Sequence, residues 1–355
     1  MQAFVKIFIL SIWTNTALAA NLFDLFQYPQ SKPEQIALEE AKAIQTGCKP
    51  VKRDTGFIPV LALIQGSGKF CLVQDLVQRR LRSLDDGSIA GSPSDNGHGI
   101  VIFYDIKDVQ LDLQGHLVSA IPFENTEGVI PSESPSLRTI SLKNGRIETP
   151  GPRSYGVILT RYVKWGWVIT SEPGERPYIY KRVVNEDTPL TQRMWNEAKR
   201  IYYEIPWNYE EPDTYVLENL HITSGGRGVV MSGVNNVLRN STVEVDSKTA
   251  VYMYGPGTVI EGNTFIVKLD PQDDAPLPAI LKLRDAHGAI IRNNKFLVKK
   301  EGISGLFKAK GQSEAAINLL ESKNVLIENN DIQDNKVMVK KDQTSTTVER
   351  GNVMR

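Results

Sequence analysis

The fold is decided by the stretch Leu238-Arg239-Asn240-Ser241-Thr242-Val243, which returns 22 residues later as Ile260-Glu261-Gly262-Asn263-Thr264-Phe265. Each copy begins with an apolar residue, continues with a charged residue and then Asn or Gly, and closes on an apolar residue after two variable positions. Four more segments follow this pattern, at 142–147, 217–222, 291–296 and 327–332. The third position therefore falls at 144, 219, 240, 262, 293 and 329, and the basic period is about 22 residues.

A period near 22 residues is found in leucine-rich repeats and in parallel β-solenoids. These units lack the spaced leucines of the first class, and they place Asn at one fixed position between β-rich apolar pairs. Asn suits a corner because it tolerates the left-handed backbone region, and Gly262 replaces it in one unit. We therefore predict a parallel β-solenoid with coils about 4.8 Å apart, in which the longer steps are loops inserted at corners.

The second position of the units supports the same register. It alternates in sign at every step, through Lys143, Glu218, Arg239, Glu261, Arg292 and Glu328. Stacked coils would bring opposite charges together, with each pair worth roughly 0.2 to 1 kcal/mol. We interpret these residues as a structural charge ladder rather than as catalytic groups.

Two earlier segments carry a family resemblance. The segments 70–76 (Phe-Cys-Leu-Val-Gln-Asp-Leu) and 109–117 (Val-Gln-Leu-Asp-Leu-Gln-Gly-His-Leu) resemble the opening coils of right-handed parallel β-helix proteins of the pectin-lyase-like group. The later Asn-containing units are similar to the repeats of that group, and the resemblance covers about residues 56–353. It implies an all-β fold, a right-handed parallel β-helix. In this group the helix carries polysaccharide lyases, hydrolases and epimerases, but also adhesins and proteins without a known reaction.

Two regions depart from the repeat. The segment Ser31-Lys32-Pro33-Glu34 has the form of a capping box and opens a helical pattern, so residues 20–55 are predicted to form an N-terminal helical cap on the β-helix of residues 56–355. A helical, aromatic-rich insertion is predicted at about 185–214, with Trp207 and Tyr209 near its end.

The N-terminal residues predict export. Lys6 precedes the apolar stretch 7–13, and Ala17-Leu18-Ala19 has the form of a signal-peptidase site, so residues 1–19 are interpreted as a signal peptide and the protein as secreted or periplasmic. In an oxidising compartment the only two cysteines, Cys48 and Cys71, are expected to form a disulfide. Two unpaired thiols are the alternative.

Composition excludes several partners and cofactors. Lys+Arg and Asp+Glu are both 41, which argues against nucleic-acid binding. After signal cleavage no apolar run is long enough for membrane insertion. The four histidines lack zinc-site spacing, and we expect no cofactor. Oxygen ligands for Ca²⁺ are available at Asp270, Asp273 and Asp274, although we favour a solvated corner loop there.

One outward-facing surface is the candidate site. Strand alternation places Tyr252 and Tyr254 outward, and the next coil adds Lys282 and Arg284 to the same surface, close to His287. Aromatic rings beside cations suit an acidic sugar chain, because they offer ring contact together with charge pairing to a carboxylate. An ordinary exposed β surface is the alternative interpretation.

These features lead to a functional hypothesis. We expect an exported carbohydrate-active protein with a polysaccharide partner, acting as a lyase or epimerase on an acidic polysaccharide, or as a glycoside hydrolase. Lys282 or Arg284 would stabilise an enolate and Tyr254 or His287 would act as the base, while Tyr252, Trp207 and Tyr209 would bind substrate. The competing hypothesis is a non-enzymatic carbohydrate-binding or surface-structural β-helix protein.

Overall fold

The chain forms a parallel β-solenoid with three faces. The computed structural model describes residues 31–53, 60–77, 97–102, 106–120, 126–131, 138–151, 154–160, 213–246, 248–269, 278–299 and 313–355. Their strands form a sheet of 17 strands and a sheet of 9 strands, and every strand pairing is parallel. The predicted signal peptide and most of the predicted insertion lie outside these residues.

The 17-stranded sheet bends to make two faces. Face 1 consists of β1 (Lys49–Val51), β3 (Gly68–Leu72), β6 (Asp108–Asp112), β13 (Val237–Arg239), β16 (Val259–Glu261), β19 (Ile290–Arg292), β22 (Val325–Glu328) and β25 (Thr347–Arg350). Face 2 consists of β4 (Leu76–Val77), β7 (Leu117–Ser119), β14 (Thr242–Asp246), β17 (Thr264–Lys268), β20 (Lys295–Lys299), β23 (Asp331–Ile332) and β26 (Val353–Met354). The long strands β9 (Thr139–Thr149) and β11 (Thr214–Ser224) run through both faces and join them.

The nine-stranded sheet is face 3. It consists of β2 (Val60–Ile64), β5 (Gly97–Ile102), β8 (Thr126–Pro131), β10 (Tyr155–Leu159), β12 (Arg227–Ser232), β15 (Val251–Tyr254), β18 (Leu281–Arg284), β21 (Ile317–Leu320) and β24 (Val339–Lys341). The chain visits faces 1, 2 and 3 in turn from β13 onward, so each turn of the chain adds one strand to each face. The six sequence units all lie where face 1 turns into face 2.

The corner between faces 1 and 2 has the predicted conformation. Its asparagines have φ between 51° and 59°, at positions 144, 219, 240, 293 and 329. Gly262 has φ 68° in the one unit whose third position is not Asn, and Gly351 has φ 64° in the last coil. Asn and Gly adopt the left-handed backbone region at low energetic cost, so the period of these residues in the sequence marks the position of the corner in each coil.

A second asparagine follows the first and points into the solenoid. Asn263, Asn294 and Asn330 are each 1% exposed. The amide of each donates to the side-chain oxygen of the Asn in the next coil, at 2.9–3.1 Å, and the series ends on Asn352. Each amide also donates to a face-1 carbonyl of the preceding coil, as Asn294 does to Ile260 at 2.9 Å. This Asn ladder satisfies the buried polar groups that the corner creates.

The charge ladder is confirmed and is longer than predicted. Strand register places the six predicted residues in one line, and it adds Asp112 before them and Arg350 after them. Each cation pairs with the acid of the preceding coil, and the contacts are Lys143–Asp112 3.6 Å, Arg239–Glu218 3.0 Å, Arg292–Glu261 2.9 Å and Arg350–Glu328 2.7 Å. All four pairs lie at the surface with partly exposed side chains, so each contributes little to stability.

Aliphatic and aromatic side chains from all three faces fill the interior. One continuous core runs through the coils, and within it the rings of Phe265 and Phe296 stack with centroids 5.2 Å apart. Face 3 approaches face 2 most closely where its strands begin. A Cβ atom on Gly128 would overlap the carbonyl oxygen of Gly156 and the side chain of Ile147, so this position requires glycine.

A helix and a disulfide close the N-terminal end. Helix α1 (Pro33–Gln45) packs Ala43 against Cys48, Cys71 and Val73, beside β1 at the edge of the sheet. The disulfide is present, with Cα atoms 5.8 Å apart. The capping-box prediction placed the cap one residue too early, because the N-cap is Lys32, whose backbone N–H donates to Gln35 Oε1 at 3.1 Å.

Candidate functional site

Four of the predicted site residues, Tyr252, Tyr254, Lys282 and Arg284, lie together on the outer side of face 3. Register pairs Tyr252 with Lys282 and Tyr254 with Arg284, while Val251 and Met253 point into the core. The alternation inferred from the sequence is therefore correct. The tyrosines join a separate outer cluster with Tyr155, Ile158 and Val230.

Two aromatic rings and two cations alternate along this surface on four successive coils. Arg227 lies over the ring of Tyr155 at 5.7 Å and over the ring of Tyr252 at 5.6 Å. Lys282 lies over the ring of Tyr252 at 5.5 Å. The resulting order along the solenoid is Tyr155, Arg227, Tyr252, Lys282, which we name the cation–π stack. Such contacts hold the cations in fixed positions and stabilise their charge.

The stack corrects the role expected for Tyr252. Its side chain is outward, but the residue is only 6% exposed, because cations from the strands on both sides of β15 lie against its ring. Little ring surface is left for a sugar. In this structure Tyr252 lies between Arg227 and Lys282 and positions both cations.

Lys282 is in an unusual environment for a lysine. Burial lowers the pKa of Lys282 to about 8, with nearby Lys340 acting in the same direction and Glu314 opposing it. Glu314 forms an ion pair with Lys340. A substantial fraction of Lys282 is therefore neutral just above pH 8, so the amine can exchange a proton with a ligand near physiological pH.

Arg284 and Tyr254 form a second group beside the stack. Arg284 lies 5.9 Å from the Tyr254 ring and makes a two-pronged ion pair with Glu321, at 3.0 and 3.2 Å. The Tyr254 hydroxyl donates to the carboxylate of Asp285. Burial raises the pKa of Asp285, and the bond from Tyr254 opposes that effect. The arrangement gives a phenol whose proton has a ready acceptor. Tyr254 is 6% exposed, like Tyr252, so its ring also offers little surface to a ligand.

His287 is not on the same surface patch. It lies at the exposed corner after β18, and its Nδ1 accepts the backbone N–H of Lys323 at 3.1 Å. This bond fixes the ring against the next coil. Its influence on the site is electrostatic, because it opposes the rise in the pKa of Asp285 that burial causes.

Several predicted residues lie outside the described ranges. They are Trp207, Tyr209, Asp270, Asp273 and Asp274, so their predicted roles stay predictions. Within the described ranges no group of three His, Cys, Asp or Glu side chains is placed to hold a metal ion.

Sequence reasoning missed two features. Arg227 and Tyr155 each open a strand of face 3 and share one register position, a signal that becomes visible only once the coils are aligned. The second is a contact between coils, in which His116 Nδ1 lies 3.2 Å from Asp75 Oδ1. Burial acts to raise the pKa of Asp75, but the hydrogen bonds from His116 and Leu117 outweigh it and hold that pKa below its ordinary value.

The comparison with known families agrees with this architecture. Residues 209–355 match the family model described as the right-handed β-helix region. That stretch covers about two fifths of the chain, and the described residues outside it continue the same parallel coils. The predicted fold and its handedness are thereby confirmed. Within the described ranges, no α-helix of the protein is long and apolar enough to cross a membrane.

Solved structures similar to this β-helix include two carbohydrate enzymes. One is a DFA-IIIase variant from Arthrobacter chlorophenolicus A6 in complex with DFA-III, with 8% identity, 92% of this chain and 81% of that chain covered, and a TM-score of 0.45. The other is the A-module of the mannuronan C-5 epimerase AlgE4 from Azotobacter vinelandii, with 10% identity, 90% of each chain covered, and a TM-score of 0.20. No curated protein sequence matches the chain.

Proposed function

We propose that this protein is an exported carbohydrate-active β-helix protein that acts on an acidic polysaccharide as a lyase or epimerase. The cation–π stack carries the proposal. It holds Arg227 and Lys282 on the coils on either side of Tyr252, and the two cationic groups lie within about 11 Å of each other because they are 5.6 and 5.5 Å from the centre of the same ring. Fixed cations in a line suit a polymer that presents carboxylates at regular intervals.

The Tyr254 group supplies the chemistry for a uronate. Tyr254 passes its proton to Asp285 and takes the proton from the carbon beside the sugar carboxylate, and the electron pair of that C–H bond moves onto the carboxylate as an enolate. Arg284 and Lys282 stabilise the enolate charge. In an epimerase a water molecule on the opposite side gives a proton to the same carbon, and the resulting hydroxide takes the proton held by Asp285. In a lyase the enolate expels the 4-linked oxygen, which takes the proton from Tyr254, and Asp285 then returns its proton to the tyrosinate.

A panel of acidic polysaccharides tests this function. Ultraviolet absorbance of unsaturated uronates detects a lyase, and deuterium uptake from D₂O beside the carboxylate, followed by NMR, detects an epimerase. The double variant Lys282→Ala with Arg284→Ala should lose turnover. The matched control removes one exposed lysine and one exposed arginine from other faces, through Lys295→Ala with Arg239→Ala, and should keep it. Wild-type protein that is inactive on the whole panel would contradict the proposal.

A second candidate function is binding without turnover. It is favoured by the two carboxylates of Glu321 and Asp285, which already engage Arg284 and Tyr254. A glycan that binds wild type, loses affinity for the Lys282→Ala Arg284→Ala variant, and yields neither unsaturated product nor deuterium uptake would support this alternative.

Export is the remaining part of the proposal. The interpretation of residues 1–19 as a signal peptide and the Cys48–Cys71 disulfide both fit an oxidising compartment. Intact-mass measurement of secreted or periplasmic material should give a chain that begins at Ala20. Retention of Met1 would contradict the prediction.

A further inference from the structure

Face 1 presents two parallel rows to solvent. The first row is aliphatic and occupies the same outward position on six successive coils, at Val216, Val237, Val259, Ile290, Leu326 and Val348. The first five are half-buried by their neighbours, and Val348 is 57% exposed. The second row is the charge ladder, two residues further along each strand. A continuous apolar row beside charges that are already paired is a surface suited to association.

The charge ladder has a symmetry that an arbitrary charged surface lacks. Its eight members alternate in sign from Asp112 at the first coil of the row to Arg350 at the last. Reading the row backwards therefore gives the opposite sign at every position. Arg239 and Glu261 are the two central members, so reversal exchanges them.

This symmetry identifies the partner. We propose that face 1 binds a second copy of this chain, with the two solenoid axes antiparallel and a twofold axis along the strand direction. That operation keeps the charge ladder on the charge ladder, and it places the apolar row on itself from Val216 to Ile290. Leu326 and Val348 then face Ser141 and Gln110 of the other copy. Arg239 of one copy then faces Glu261 of the other, and Val237 faces Val259. Every charge in the row meets one of opposite sign, and no side chain needs to change face.

The dimensions of face 1 set the strength of this dimer. Eight coils span seven steps of about 4.8 Å, and strands about 13 Å long then give about 440 Å² of flat contact per copy, or about 900 Å² in total. Interfaces below about 1,200 Å² are typical of weak complexes. The dimer is accordingly reversible, and its population rises with protein concentration over the micromolar range.

Sedimentation velocity across a micromolar concentration series provides the first test. Wild type should shift from monomer towards dimer. Val259→Lys places a charge at the centre of the apolar row and should abolish the shift, whereas Thr264→Lys, at an outward position on face 2, should leave it unchanged. Circular dichroism and the melting temperature of both variants check that the fold is intact. A wild type that stays monomeric throughout, or equal association of both variants, overturns the proposal.

Cysteine crosslinking tests the orientation. Equal amounts of two single variants, Val237→Cys and Val259→Cys, are mixed and oxidised, and the native cysteines are already paired with each other. The proposed register predicts a covalent heterodimer. The control mixture of Val237→Cys with Val348→Cys places the two thiols several coils apart and should crosslink far less. Equal crosslinking in both mixtures overturns the antiparallel arrangement.

Discussion

Replacing Asn294 with alanine should cost far more stability than any surface change in this protein. Its side-chain oxygen accepts the backbone N–H and the amide of Asn263, at 2.9 and 3.1 Å, and its amide donates to Ile260 O and to Asn330 Oδ1, at 2.9 and 3.0 Å. The residue is 1% exposed, so water cannot replace these partners. At about 1 kcal/mol for each lost bond, Asn294→Ala should lower the free energy of unfolding by about 4 kcal/mol.

The neighbouring residue provides a matched control. Asn293 lies one position earlier with φ 57°, and glycine adopts that conformation without penalty, so Asn293→Gly should change the free energy of unfolding by less than about 1 kcal/mol. Guanidinium denaturation followed by circular dichroism gives both values from the same experiment. A cost below about 1 kcal/mol for Asn294→Ala would refute the reasoning, because it would mean that the buried ladder contributes no more than a surface pair.

Three more measurements address other parts of the molecule. The pKa of Lys282 is about 8 in the folded protein and 10.5 in an ordinary lysine, so between pH 8 and 10.5 the folded protein binds fewer protons than the unfolded chain. The free energy of unfolding should therefore rise with pH over that interval. Lys282→Met should reduce the rise. Arg239→Ala should cost about 1 kcal/mol or less in denaturant titration, since its pair with Glu218 is exposed, and a much larger loss would contradict a surface role. Replacing Cys48 and Cys71 together with serine should cost about 3 kcal/mol by loop entropy, and an unchanged melting temperature would count against that account.

The fold was predictable because one backbone requirement recurs in the sequence. A corner with a left-handed backbone conformation favours Asn or Gly, and Asn240, Gly262 and Asn293 make that preference visible in the sequence. The second asparagine was not recognised, because the fourth position of the unit reads as variable. Ser241 accepts the corner N–H of Leu220 in the way that Asn263 accepts that of Ser241, so two polar residue types fill the position that Gly145 and Leu220 occupy in the first two units.

The candidate site was predictable only in part. Alternation along β15 and β18 gave the correct side for Tyr252 and Lys282, since that property is local. The burial of Tyr252 was missed because it depends on Arg227, which lies on the preceding coil and 25 residues earlier in the chain. Burial is a property of neighbours in space, and a local period carries no information about them.

The Asn ladder also determines where the solenoid can accept inserted residues. At the corner between faces 1 and 2, two residues join β16 to β17 and two join β19 to β20, and the buried side chain there is bonded both to the coil before and to the coil after. The corner between faces 2 and 3 has no such constraint, since β14 ends at Asp246 before Val251 while β17 ends at Lys268 before Leu281. An engineer grafting a peptide loop should therefore choose the second corner. From β13 onward the first corner keeps a length of two residues in every coil, and the second corner is where chains of this design can vary in length.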